Sequence, residues 1–302
     1  MSGSIEANLG ANQRGVALIL VLWLLILLTI VVGVYALLTR TEALQARFLL
    51  DTTRAQYAAE AGIHRAAYEM FNPDFETRWV GDGRPYLVEF GETTVEIRIT
   101  DESGKINVNQ ANVELLTELF FQRGVDELAA VSLADAIVDW RDNDDFALEY
   151  GAEIEDYEAS GYPYGPANQP FQTVDELQQV MGMTQQMFEQ VRDVLTVSGG
   201  AGTPNPAFAS PELVALLPDM DIETAREFVA ERSEYHPSEQ MGVMMANGQL
   251  VSLQHVGNTF TVHAKATVAS GTWASIKATI AIGQGARGRP FRVLSWRESV
   301  TE

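Results

Sequence analysis

The stretch VALILVLWLLILLTIVVGVYALL, residues 16–38, carries no charged side chain over 23 positions, and its reading decides the fold. As a helix rising 1.5 Å per residue it spans roughly 34 Å, enough for a bilayer core of about 30 Å. A core helix of a water-soluble protein is rarely apolar on every side for so long. A secretory signal has an apolar region of about 7–15 residues followed by small residues at a cut. Here the pattern continues as helix instead. Residues 39–70 contain no proline, and Leu44, Phe48, Ala55, Ala59, Ile63, Ala66 and Met70 fall near one helical face. Glu42, Arg47, Asp51, Arg54 and Glu60 suit the other face. Asn72-Pro73 supplies the stop, because proline restricts its predecessor and cannot donate to the ladder. One helix over 16–70 is expected, its first half in lipid and its second half on a globular head, with Gly33 a place for a slight bend.

The whole chain is 302 residues, with 20 Lys+Arg against 41 Asp+Glu and no cysteine. That length allows two or three domains. The missing cysteines exclude a disulfide scaffold, a thiolate metal site and a cysteine nucleophile. A formal charge of −21 opposes attraction to nucleic acid or anionic lipid. It suits an acidic soluble surface or a site that collects hard cations.

Residues 86–90 and 94–100 alternate with period two around Gly91-Glu92 and read as a hairpin. Residues 260–268 and 273–282 alternate too, and 291–296 read as a last strand. Five short strands in two distant segments predict one antiparallel sheet, covered on one side by the helix and interrupted by an insertion over about 102–252. The insertion reads as helical, with a weak repeat: residues 106–116 align with 204–214, placing Asn112 and Ser210 at matching N-caps. Downstream, ADAIVDWR (134–141) parallels AREFVAER (225–232), and GGAGTPNP (199–206), rich in Gly and Pro, reads as a flexible linker. Two small bundles are expected, over 102–198 and 199–252. They resemble SAM-like or helix-hairpin-helix modules, and Val180-Met-Gly-Met-Thr184 approximates a hairpin turn. Phosphate binding needs bases there, yet Gln178, Gln179, Gln185, Gln186 and Glu189 surround it, with Arg192 the nearest cation. DNA binding is therefore not expected.

Ahead of the apolar run, Asn12-Gln13-Arg14-Gly15 resembles the processing site of type IV pilin-like precursors, which prepilin peptidase cuts after the glycine before methylating the new amino terminus. The resemblance implies a leader over 1–15, a cut between Gly15 and Val16, and a pilin-like head formed by 39–101 plus 253–302. Charge counting alone favours the opposite orientation, since Arg14 stands before the span whereas Arg40, Arg47 and Arg54 follow it. Topology thus rests on the resemblance. Most such subunits carry glutamate at the fifth mature position, where its partner is the terminal amine of the subunit above; here that position is Leu20. A carboxylate in lipid costs about 2.5–3.5 kcal/mol and survives only with a partner. Leu20 points to a subunit with nothing above it.

The densest charge lies between Asp139 and Glu158, nine acids offset by Arg141 alone. Such a loop is either solvated or gathered round a cation. Calcium takes six to eight oxygens, but no EF-hand pattern is present, because Ala147 stands where the loop glycine belongs. The phrases DWRDNDDFALEYGAEIEDY, YGPANQPFQTVDEL and SGKINVNQA resemble the K-type minor pseudopilins of type II secretion. The resemblance implies an α+β protein: a type IV pilin-like fold, its long N-terminal helix on an antiparallel sheet, with a large inserted all-α domain of two bundles. It also implies a structural calcium ion, for which Asp139, Asp142, Asp144, Glu149, Glu153 and Asp156 are the candidate ligands. Function follows as a tip subunit that starts and caps the pseudopilus. Its expected partners are the I- and J-type minor pseudopilins, the inner-membrane platform and prepilin peptidase. It would cross the bacterial inner membrane once, with its head in the periplasm. The alternatives are a minor tip pilin of a type IV pilus and a membrane-anchored DNA-uptake protein.

Enzyme chemistry is not indicated. His64, His236, His255 and His263 show no metal spacing and read as packing or surface residues. Gly283-Gln-Gly-Ala-Arg-Gly288 fits a dinucleotide pattern by letter, but Arg-Pro-Phe and a strand follow it where a helix is required.

Overall fold

The computed structural model describes residues 13–74, 76–254, 257–283 and 290–300. Most of the expected leader (1–12), His255 and the dinucleotide-like stretch beyond Gly283 lie outside the described residues.

Helix α1 runs Gln13–Phe71 and ends directly before Asn72-Pro73. Over 17–50 it is exposed throughout, and its apolar window has a mean hydropathy of 3.2, long and apolar enough to cross a membrane. Thr29 donates its hydroxyl to the Leu25 carbonyl at 2.8 Å, which satisfies a polar group inside that run.

The unit beginning at Ala55 has its own core. Ala55, Ala59, Ile63, Ala66, Ala67 and Met70 are buried, whereas Leu44 and Phe48 are 60% and 43% exposed. The expected apolar face thus begins to be buried at Ala55, eleven residues later than its periodicity suggested. Small residues set the approach: a Cβ at Gly62 would lie 3.0 Å from both the Ala264 Cβ and a Val95 methyl. Beneath the helix lies a five-stranded antiparallel sheet, ordered β1 (Asp82–Phe90), β2 (Thr93–Asp101), β7 (Thr259–Thr267), β8 (Trp273–Ile282), β9 (Phe291–Val300). Its register stacks Ile97, Ala264 and Ile276 in one row and Ile99, Val262 and Ala278 in the next. Alternation in sequence becomes one dry face in space.

The insertion leaves after Asp101 and returns to Phe260, and these two residues are direct ladder partners. Fully buried Asp101 ties both ends, accepting from the Ser103 amide at 2.8 Å and the Gly257 amide at 2.7 Å. Next to it, Thr261 donates to Glu102 Oε1 at 2.7 Å. Between them come α2 (Val113–Gln122), α3 (Glu127–Arg141), α4 (Ile154–Ala159), α5 (Gln185–Val191), α6 (Pro211–Val214) and α7 (Ile222–Glu234). Two short paired pieces, unforeseen in the sequence, accompany them: β3 (Ile106–Asn107) beside β4 (Leu195–Thr196) in parallel, and the hairpin β5 (Gly242–Met244) with β6 (Leu250–Ser252). Residues from both expected bundles join in one apolar core.

The repeat is real in three dimensions. Arg141 donates through its two terminal nitrogens to the carbonyls of Val108 and Ala111. Arg232 does the same to Pro206 and Ala209, which are the aligned positions of the second copy. The copies also clasp each other reciprocally. Gly104 abuts the Phe208–Ala209 backbone, and Gly202 abuts Gln110–Ala111. Residues 199–206 are therefore packed rather than a free tether: Gly200 lies against Ser103, and the Asn205 amide donates to the Ser103 carbonyl at 2.8 Å. Glycine is used here because its missing Cβ lets two backbones touch.

The matched caps differ. Asn112 accepts from the Leu115 amide at 3.1 Å, whereas Ser210 makes no side-chain cap bond and its hydroxyl is buried without a partner. Asn112→Ala is expected to cost about 1 kcal/mol, and Ser210→Ala close to nothing, in urea unfolding of the detergent-solubilised chain. Equal costs would contradict this assignment.

Candidate functional site

The acidic loop follows α3, whose face carries two acids one turn apart. Asp135 and Asp139 are 6% and 0% exposed. Each caps the loop that leaves the helix and folds back. Asp139 accepts from the amides of Leu148 at 3.2 Å and Ala152 at 2.8 Å, and Asp135 from that of Tyr150 at 3.1 Å. Gly151 presses on the Asp139 carboxylate so closely that any Cβ would overlap it. Aromatic rings pack nearby: Trp140 stacks on Phe171 with centroids 6.1 Å apart, and buried Tyr157 accepts from the Met181 amide at 2.8 Å.

Glu153 opens α4 and is 6% exposed; its side chain turns toward the Asp156 amide as in a capping box, yet neither carboxylate oxygen completes a hydrogen bond, and Asp142 Oδ1 is likewise buried without one. A buried carboxylate without a donor or cation is costly, so it responds by holding its proton. Glu153 is pushed up to about 7, first by burial and then by the charges of Asp139, Asp142, Asp145 and Asp144. Asp139 is pushed up to about 6, mainly by burial, which outweighs the opposing pull of its two amide donors. Asp142 is also raised, again first by burial and then by Asp144.

Of the six candidate ligands, buried Asp139 and Glu153 and half-buried Asp142 thus form a mutually repelling set, with Asp144 close enough to act on it. Asp144 is exposed and accepts from the Phe146 amide at 3.0 Å. Glu149 is exposed beside Tyr150, and Asp156 is occupied at the start of α4, accepting from the Glu153 amide at 3.0 Å. Among the described residues no three such side chains already converge as a ligand set. The orphaned oxygens nonetheless fit a hard cation, which would supply the positive charge that this set lacks. Sequence reading missed Asp135, although its four-residue spacing from Asp139 was a usable signal. It also missed Asn168, whose amide donates to Asp145 Oδ1 at 3.0 Å from a backbone with φ of 48°. That long-range contact leaves no local pattern.

The hairpin-like turn at 180–184 keeps its glycine conformation, with Gly182 at φ 86°, and Thr184 caps α5. The nearest base, Arg192, is paired with Glu189 at 3.2 Å. Gly15 and Val16 fall in the first turn of α1 and Leu20 within its exposed apolar run.

Comparison with known proteins agrees with the sequence resemblance. The family described as type II secretion system (T2SS), protein K, matches residues 94–200, which hold β2, the acidic loop and the first copy of the repeat. A type II secretion system protein K of Klebsiella pneumoniae is 29% identical over 201 residues, 60% of this chain and 61% of that protein. One from Aeromonas hydrophila is 27% identical over 207 residues, covering 60% and 62%. The matched region therefore spans about three fifths of the length of these curated relatives. Among solved structures, the GspK-GspI-GspJ complex of the enterotoxigenic Escherichia coli type 2 secretion system includes a chain of like fold. Its TM-score is 0.52 at 16% identity, over 86% of this chain and 99% of that one. The long N-terminal helix, the antiparallel sheet and the 94–200 segment thus resemble type II secretion system protein K, the family whose model residues 94–200 match.

Proposed function

We propose that this chain is the minor pseudopilin at the tip of a type II secretion pseudopilus, where it starts and caps assembly for export of folded proteins across the outer membrane. The observation that carries this reading is the insertion at 102–258 between two strands that remain ladder partners. A head enlarged in this way keeps its pilin-like sheet intact but hinders close stacking of further subunits above it. Leu20 supports the same position, because a subunit with no neighbour overhead gains nothing from an intramembrane carboxylate. Its partners are I- and J-type minor pseudopilins, as in the complex of the solved relative, together with the inner-membrane platform. The role is structural rather than enzymatic, in the inner membrane with the head in the periplasm, and nucleic acid is not a partner. We include a structural calcium ion in the acidic loop, held by a subset of Asp139, Asp142, Asp144, Glu149, Glu153 and Asp156; it would neutralise the buried carboxylates and fix the loop.

Processing tests the reading most directly. The mature chain is expected to begin at a methylated Val16 by intact-mass and terminal sequencing. Gly15→Val is expected to retain the leader and abolish exoprotein release. An intact Met1 in a secreting cell would refute the assignment, and gold labelling along the whole fibre shaft would refute capping alone.

A further inference from the structure

Beside the acidic loop, α3 forms one wall of an open apolar groove of about 410 Å³. Leu128, Ala129, Ser132, Leu133 and Ala136 of α3 line it together with Met181 and Met187. Positions 129, 132, 133 and 136 repeat at helical spacing, so the trough follows about two turns of α3. Leu128 is 59% exposed and Tyr150, at the rim, 46%. An exposed leucine and two methionines around a trough make an adaptable apolar seat.

The charge around it is one-sided. Residues 124–191 hold 15 Asp and Glu but one base, Arg141; two of these acids, Glu189 and Asp175, are paired with Arg192 and Arg297 from outside the stretch. Arg141 is spent on the Val108 and Ala111 carbonyls. Asp126 lines the groove itself; although it is the N-cap of α3, its side chain makes no cap bond. Glu127 and Glu149 are exposed in the residues next to Asp126 and Tyr150. An apolar trough with Asp126 in its lining and exposed Glu127 and Glu149 beside it repels anionic lipid and suits a segment with an apolar stripe flanked by lysine or arginine.

We propose that this groove seats a cationic amphipathic helix of a partner protein, anchored by apolar residues at i, i+3 or i+4, and i+7. The site is separate from the helix-mediated assembly proposed above and does not depend on it.

The test uses the full chain in dodecyl maltoside with three synthetic 18-residue peptides bearing a photoreactive leucine. One is a Lys/Leu amphipathic helix, the second a scramble of the same composition, and the third its Glu/Leu counterpart. The first is expected to crosslink to Met181 or Met187, mapped by mass spectrometry, and to bind at least tenfold more tightly than the others. Leu128→Asp separates apolar seating from bulk attraction, because the new acid lies in the first turn of α3, where it favours the helix, and adds negative charge. The substitution is expected to weaken binding of the Lys/Leu helix roughly tenfold in the same micelles. Undiminished binding by Leu128→Asp, equal binding of the scramble, or labelling spread away from the groove would each overturn the proposal. Equal binding of the Glu/Leu peptide would overturn its charge selectivity and with it the proposed partner.

Discussion

Gly104→Ala and Gly202→Ala are each expected to destabilise the folded chain by about 2–3 kcal/mol, and by similar amounts. At Gly104 a Cβ would lie 2.6 Å from the Phe208 carbonyl carbon and oxygen and 2.9 Å from the Ala209 nitrogen. At Gly202 it would meet the Gln110 carbonyl and, at 3.0 Å, the Ala111 Cα. Backbone cannot swing aside as a long side chain can, so relief requires the two repeat copies to separate. That separation loosens the shared core that contains Ile106, Ala111, Ala209 and Leu213. Because the two contacts are images of each other in the repeat, one substitution should reproduce the other. Urea unfolding followed by tryptophan fluorescence, with Trp140 buried in the same core, measures it. An unchanged midpoint for either variant would show that the clasp is looser than its geometry implies.

The glycine clasp also marks where sequence reading stops. Alternation over 94–100, 260–268 and 273–282 announced the sheet, because a half-buried strand must place every second side chain in the core. The helix announced itself for the opposite reason, having no polar face at all over 23 residues. The repeat was visible through Asn112, Ser210 and the two arginines, but Gly104 and Gly202 lie two residues ahead of the aligned segments. Their importance comes from a partner about a hundred residues away, and periodicity cannot show that. Residues 199–206 were misread as flexible on the same ground: glycine and proline signal a break in regular structure, not whether the broken segment is packed. Two-residue strands such as β3 and β4 are too short to alternate. Leu44 and Phe48 fit the helical period as well as Ala55 does, and periodicity alone does not distinguish the covered positions from the exposed ones. In the acidic loop the excess of charge is legible residue by residue, while the burial of Asp135, Asp139 and Glu153 emerges only from the fold.

Calcium is expected to raise the melting temperature of the full-length chain in detergent by roughly 5–10 °C at pH 8, relative to EGTA, for an ion present at about a hundred times its dissociation constant. The dependence on pH is the more discriminating part. Without a cation, Asp139 and Glu153 hold their protons to about 6 and about 7, above the ordinary carboxylate range near 4. Between those limits the folded state binds more protons than the unfolded chain, so raising the pH lowers stability until both groups have ionised. In EGTA the protein should therefore melt higher at pH 5.5 than at pH 8. Calcium needs the ionised groups, so its stabilisation should grow over the same interval and offset that loss. Glu153→Gln is expected to move the two quantities in opposite directions. It removes a buried, repelled charge and so raises the melting temperature in EGTA at pH 8, but it removes a ligand and so diminishes the response to calcium. Magnesium, which demands a tighter octahedral shell, should substitute poorly. Identical melting in calcium and EGTA at pH 8 would remove the ion from the loop. A full calcium response in Glu153→Gln would instead keep the ion but exclude the carboxylate on which the fit most depends, since both Glu153 oxygens are buried and complete no hydrogen bond.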